Sequence, residues 1–129
     1  MEKPLVERPI NFAIFKGLNL PELSIKAGQT IIAEGAKGET MYLVRQGVVD
    51  VVVNDTVIEQ IGAGGIFGEM ALIDHAERSA KIVANTDAFV VPLDEKKFIA
   101  LVAKVPHFSL LVMRTLARRI RNLNLRVGN

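Results

Sequence analysis

Apolar positions between Leu23 and Leu93 come in short, β-branched runs separated by glycine and polar turn residues. After Leu93 the spacing becomes helical. Leu23-Ser24-Ile25 leads into Ala27-Gly28, and Thr30 to Ala33 stops at Gly35-Ala36-Lys37-Gly38. Met41 to Arg45 reads as a strand broken at Gln46-Gly47. Val48 to Val53 and Thr56 to Ile61 flank Asn54-Asp55, a dipeptide suited to a tight hairpin. Ala80 to Ala84 and Ala88 to Leu93 complete the β segment. Short strands at roughly 8–12-residue spacing with glycine punctuation predict a sandwich, barrel or jelly roll.

Asp94 is the predicted N-cap of a helix over Glu95 to Ala103, and Pro106 suits the first turn of another that runs to about Leu123. On that last helix Met113, Leu116, Ile120, Leu123 and Val127 recur at spacings of 3, 4, 3 and 4. Such a seam suits either a second subunit or the chain's own β domain. Upstream, Pro4, Pro9 and Pro21 interrupt the pattern. Asn11 to Leu18 is expected to form a short helix with Phe12, Phe15 and Leu18 on one side, capping one end of the β domain.

The 129 residues suffice for one domain with a real core, and apolar residues make up half of them, at a mean hydropathy of +0.29. No apolar run approaches the roughly 18–20 residues needed to span a bilayer. Met1-Glu2-Lys3-Pro4 is not followed by an apolar signal core. The absence of cysteine excludes disulfides, thiolate metal sites and cysteine nucleophiles. The expected location is cytoplasmic. Charge is uneven: residues 1–95 hold 8 basic and 14 acidic residues, and residues 96–129 hold 8 basic residues and no acid. A solvated basic helix face, its cations favoured by the helix dipole, is the preferred reading. Nucleic-acid binding is the rival, but no aromatic platform accompanies these arginines.

The candidate chemistry lies in Gly64-Gly65-Ile66-Phe67-Gly68-Glu69-Met70-Ala71-Leu72-Ile73, closed by Arg78-Ser79-Ala80. Glycines allow a sharp turn and close approach to main-chain N–H groups. Successive N–H groups there, and those of a helical turn beginning at Gly68 or Glu69, suit an anion. Arg78 offers a planar fork for a phosphate, and Glu69 an acceptor for hydroxyls.

Phe67 to Ile73 followed by Arg78-Ser79-Ala80 resembles the phosphate-binding cassette of cyclic nucleotide-binding domains, of the catabolite-activator-like and protein kinase A regulatory-subunit-like kind and a stand-alone bacterial type. Gly35, Gly38 and Gly47 fall where that family keeps turn glycines, and the likeness covers roughly residues 24–125. Two positions depart from the usual form: Glu77 stands in place of proline and Lys81 in place of threonine.

The resemblance implies a mainly β chain with C-terminal helices, an eight-stranded jelly roll (double-stranded β-helix) with a helical cap. It divides the single domain 1–129 into an N-terminal cap (about 1–21), a β-roll (22–93) with the cassette at 64–81, and C-terminal helices (94–125). By resemblance Glu69 takes the ribose 2′-hydroxyl and Arg78 the cyclic phosphate, with Ser79 and the amides of Gly68, Met70 and Ala71 as further phosphate donors. Leu116, Arg118, Ile120 and Arg121 are the candidates to cover the base, while Val44 and Ile82 belong to the core. Because the interior is apolar, Arg78 is expected to meet an anion, or to be neutralised by Glu69, Glu77 or another acid.

The expected function is a non-enzymatic signalling sensor that binds cyclic AMP in preference to cyclic GMP and repositions its C-terminal helix, with no cofactor. A homodimer through that helix is one of the two readings of its seam, packing on the chain's own β domain being the other, in a chain expected to lack a DNA-binding domain or a membrane span. The alternatives are a cyclic-GMP-specific sensor, or a degenerate interaction module of the same fold that has lost its ligand. His75 and His107 are 32 residues apart and make no metal cluster, and no serine has a base at a recognisable spacing.

Overall fold

Among the described residues, eight short strands make two antiparallel four-stranded sheets, and three helices accompany them. The computed structural model describes residue 15 and residues 17–75 and 77–126, with side chains to residue 122. The strands are β1 (Leu23–Ile25), β2 (Thr30–Ile32), β3 (Met41–Gln46), β4 (Val49–Val53), β5 (Thr56–Ile61), β6 (Ile66–Phe67), β7 (Lys81–Ala84) and β8 (Ala88–Leu93). The helices are α1 (Glu69–Asp74), α2 (Glu95–Lys104) and α3 (His107–Arg126). One sheet has the order β1-β8-β3-β6 and the other β2-β7-β4-β5. The chain changes sheet at every connection except the β4–β5 hairpin, which is the path of a jelly roll, and the sheets do not close into one barrel. The two-residue strand β6 lies inside the glycine-rich stretch, where the pattern of residues predicts only a turn.

Local chemistry explains the corners. Asn54 and Asp55 adopt φ of 50° and 61°, the two positive values that a tight hairpin needs, and Val53 pairs with Thr56 across them. At Gly47 (φ 92°) an added Cβ would come within 2.3 Å of the Asp87 carbonyl oxygen, so only glycine fits.

Strand alternation divides the interior into two cores. Val44, Val49, Ile61, Phe67, Ile82 and Val90 pack with Ile25 and Ile32 in one cluster. The intervening positions Leu43, Ile66 and Val91 join Met41, Leu72, Leu101, Phe108 and Val112 in the other, beneath the helices. Phe108 anchors that second core, its ring 5.5 Å from Phe15 and 5.6 Å from Phe98. Of the short helix expected over Asn11 to Leu18, residues 11–14 and 16 lie outside the described residues. Phe15 is buried, and the N–H of Leu18 donates to its carbonyl.

The Asp94 carboxylate caps α2, accepting the Lys97 N–H at 2.8 Å. Helix α3 follows Pro106 directly. Its expected seam divides in the fold. Leu116 packs against the Phe108 core, whereas Met113 and Ile120 are exposed at 56% and 61%. The side chain of Leu123, and Val127, lie outside the described residues. Spacings of 3 and 4 are shared by adjacent stripes of a helix, so the seam mixed one inward residue with two outward ones. Among the described residues no single helix is long and apolar enough to cross a membrane.

Candidate functional site

The cassette is built by hanging a glycine turn from β3. The Gly64 N–H donates to the Val44 carbonyl at 2.7 Å, and the Val44 N–H to the Gly65 carbonyl at 2.9 Å. Strand β6 continues this pairing, with Ile66 opposite Leu43 and Phe67 opposite Tyr42, whose rings stack at 5.0 Å. Gly68 then turns into the left-handed region (φ 79°) and caps α1. A Cβ at Gly68 would lie 2.9 Å from Arg78 Nη1 and 3.1 Å from the Thr40 carbonyl oxygen. Glycine is therefore required both for the turn and for the approach of the arginine. Helix α1 buries Glu69, Ala71 and Leu72 and exposes Met70 and Ile73. It ends at His75 (φ 58°), whose N–H returns to the Ala71 carbonyl.

Arg78 is fixed at both ends. Its main-chain N–H donates to the Ala36 carbonyl at 2.9 Å, and its carbonyl accepts from the Gly35 N–H at 2.8 Å. Its Nη1 donates to the Gly68 carbonyl at 2.9 Å and its Nη2 to the Thr40 carbonyl at 2.8 Å. Gly38 completes the cup, because a Cβ there would stand 2.7 Å from Nη2. The residue is 9% exposed. Of the two expectations for its charge, an anion or a neutralising acid, the second is not met among the described residues. Among the described residues no carboxylate pairs with Arg78, Glu77 is exposed, and two carbonyl dipoles orient the fork instead. The guanidinium thus lies in a glycine-lined recess beside the start of α1, held by main-chain oxygens.

Glu69 is 4% exposed and engaged by Arg119 of α3. Arg119 Nη1 donates to Glu69 Oε1, and Nη2 to the Ile66 carbonyl at 2.5 Å. Arg119 was not among the four expected lid residues. Of those, Leu116 packs on the core, Arg118 is half-buried with Nη2 3.3 Å from Thr115 Oγ1, and Ile120 and Arg121 are exposed. The signal for Arg119 is present in the sequence. Phe108, Val112, Thr115 and Arg119 follow at spacings of 4, 3 and 4, and the first three are buried at 3% or less. Following that stripe leads to the cassette.

The structure brings Gly68 and Arg78 into direct contact, buries Glu69 and Ala71 on α1 next to Gly68, and leaves Met70 and Ser79 exposed. Val44 and Ile82 lie in the core. His75 Nδ1 is 3.6 Å from Glu39 Oε1 in an exposed pair, and His107 is exposed at the start of α3.

A family model described as cyclic nucleotide-binding domain matches residues 22–105. The chain is similar to a solved structure from a cyclic-GMP-dependent signalling pathway that regulates bacterial phytopathogenesis, at 27% identity and a TM-score of 0.75, covering 89% of this chain and 98% of that one. It is also similar to the Thermus thermophilus catabolite activator protein, at 29% identity and a TM-score of 0.74, covering 88% of this chain and 61% of that one. A third neighbour is PKAR CBD2 bound to Sp-2Cl-cAMPS, at 28% identity and a TM-score of 0.71, covering 91% of this chain and 85% of that one. Domains of this kind are generally regulatory, and the fold supports a nucleotide-sensing role. With the model matched over most of its length and the cassette in place between β6 and β7, this chain belongs to the cyclic nucleotide-binding domain family.

Proposed function

We propose that this chain is a non-catalytic sensor that binds a cyclic nucleotide, cyclic AMP in preference to cyclic GMP, and relays the event through α3. The observation that carries the reading is the Arg78 guanidinium, buried between two glycines and held by carbonyls rather than by an acid. A cation oriented in this way is suited to a phosphodiester, which supplies the missing counter-charge. Ser79 and the amides around Gly68, Met70 and Ala71 are the proposed additional donors, and Glu69 the proposed partner of the ribose 2′-hydroxyl. PKAR CBD2, a neighbour of similar fold, is described with a cyclic AMP analogue, which supports the choice of base. The fold-preserving alternative without ligand makes the opposite forecast in the same experiment.

Calorimetry with cyclic AMP and cyclic GMP tests the reading. The parent chain should bind cyclic AMP more tightly, and Arg78→Ala should cost about 2–5 kcal/mol of affinity. That corresponds to roughly 30- to several-thousand-fold. A parent that binds neither nucleotide, or an Arg78→Ala variant that binds as tightly as the parent, refutes it.

We also propose that a second copy docks on the outer face of α3 through Leu110, Met113 and Ile120, which are exposed and share one side of the helix. Ile120→Asp should then convert a dimer to a monomer in analytical ultracentrifugation. A parent that is monomeric at millimolar concentration removes this element.

A further inference from the structure

The described arginines divide into two sets. Arg45, Arg78 and Arg119 are each held, by Glu22, by main-chain carbonyls and by Glu69. Arg114, Arg118 and Arg121 are not: among the described residues no carboxylate lies within ion-pair distance of any of them. They follow one another on α3 at spacings of 4 and 3, so they share one flank of the helix, over about 10 Å of its length. Arg114 and Arg121 are exposed. Arg118 is half-buried, with Nη2 3.3 Å from Thr115 Oγ1 and Nε enclosed without a hydrogen-bond acceptor. An enclosed donor without an acceptor carries a desolvation cost that a docked carboxylate nearby would reduce.

This flank adjoins the row of Met113 and Ile120, turned from it by one residue, or about 100°. A second copy seated on that row through its own α3 brings no counter-charge, because α3 contains no acidic residue. The charge of the β domain has the opposite sign: residues 1–95 hold 14 acidic and 8 basic residues. A long polyanion or an anionic membrane laid across α3 would extend past the helix toward that acidic surface and be repelled by it. A short acidic segment confined to the flank would not.

We infer that the flank of α3 formed by Arg114, Arg118 and Arg121 is the docking surface for an acidic helical segment of a different protein, with carboxylates about one turn apart. Arginine suits this task, because its planar fork takes a carboxylate through two parallel bonds. Charges placed beside an apolar row also decide which partner helix is accepted. The docking is independent of the nucleotide reading above, and its test contains no nucleotide.

The test uses the whole chain at about 0.15 M salt, where long-range attraction between exposed charges is screened. The probes are an alanine-based helical peptide with glutamates at the spacings of the three arginines, the same peptide with glutamine in their place, a short DNA duplex, and vesicles of phosphatidylglycerol and phosphatidylcholine. Fluorescence anisotropy and vesicle co-sedimentation read the binding. The parent should bind the glutamate peptide with a Kd of roughly 10–100 μM, and the other three probes at least about tenfold more weakly. A variant combining Arg114→Gln, Arg118→Gln and Arg121→Gln should lose about tenfold or more. A variant combining Lys26→Gln, Lys37→Gln and Lys97→Gln removes the same charge from exposed positions elsewhere and should stay within about threefold of the parent. If the arginine variant does not fold by thermal melt, Arg114→Glu with Arg121→Glu carries the test, since both positions are exposed. That pair should lose the glutamate peptide and gain its lysine counterpart. A parent that does not bind the glutamate peptide, equal losses in the arginine and lysine variants, or tighter binding of the duplex or the vesicles overturns the inference. So does a change of oligomeric state in the arginine variant by analytical ultracentrifugation, which would assign the flank to a second copy.

Discussion

Gly38→Ala isolates the geometry of Arg78 without altering its charge. The alanine methyl would stand 2.7 Å from Arg78 Nη2, 3.1 Å from Nε and 3.3 Å from Cζ, and Gly38 is outside the left-handed region, so the backbone itself accepts alanine. A carbon in van der Waals contact needs roughly 3.5 Å. The guanidinium must therefore retreat by roughly 0.8 Å, and, as the far end of a flexible side chain, it is the group that moves. That displacement stretches the 2.8 Å bond from Nη2 to the Thr40 carbonyl past hydrogen-bonding range. Loss of a hydrogen bond from a charged group costs about 1.5–3 kcal/mol. The stiffer unfolded chain returns about 0.4–1 kcal/mol. The net loss is about 0.5–2.5 kcal/mol, or a melting point lower by roughly 2–10 °C for a chain of this size. With its fork misaimed, Arg78 should also bind cyclic AMP about tenfold less tightly, a loss of about 1.4 kcal/mol. Gly62→Ala is the internal control, since nothing lies within 4 Å of its Cβ and its backbone is likewise unstrained. It should be neutral or stabilising by up to about 1 kcal/mol. Calorimetry and thermal melts of the two variants decide the matter. If Gly38→Ala melts as high as Gly62→Ala and binds like the parent, the fork of Arg78 is not positioned by the Gly38 recess.

Two further outcomes follow from the fold. Gly47→Ala drives a Cβ to 2.3 Å from a backbone oxygen at a positive φ and has no flexible group to yield. It should destabilise by about 3 kcal/mol or more in urea titration, and by more than Gly38→Ala. Asp94→Ala removes the cap that accepts the Lys97 N–H and should lower stability by about 1 kcal/mol, with a matching loss of amide protection confined to the first turn of α2.

Most of the architecture is legible in local sequence. The strands at Leu23–Ile25, Thr56–Ile61 and Ala88–Leu93 occupy the expected residues, and Asp94 caps α2, because hairpin dipeptides, β-branched runs and caps act over a few residues. Strand β6 is not legible in the sequence, because two apolar residues between glycines carry no period; pairing with β3 alone makes them a strand. The seam on α3 misled for a related reason. Its spacing is real, but spacing does not say which stripe of a helix meets the β domain, and the Phe108 stripe won because its aromatic ring fits the core with Phe15 and Phe98.

By itself the chain determined a run of short strands that suits a sandwich, barrel or jelly roll, the glycine frame of the cassette and the presence of one acid and one base within it. Those features depend on backbone freedom and on neighbours close in sequence. Only the tertiary structure decided what the two charges meet. Arg78 is held by the carbonyls of Thr40 and Gly68, and Glu69 by an arginine 50 residues away. A buried charge takes whichever partner packing delivers, and packing is settled by the docking of α3 on the sheet, which no local spacing specifies.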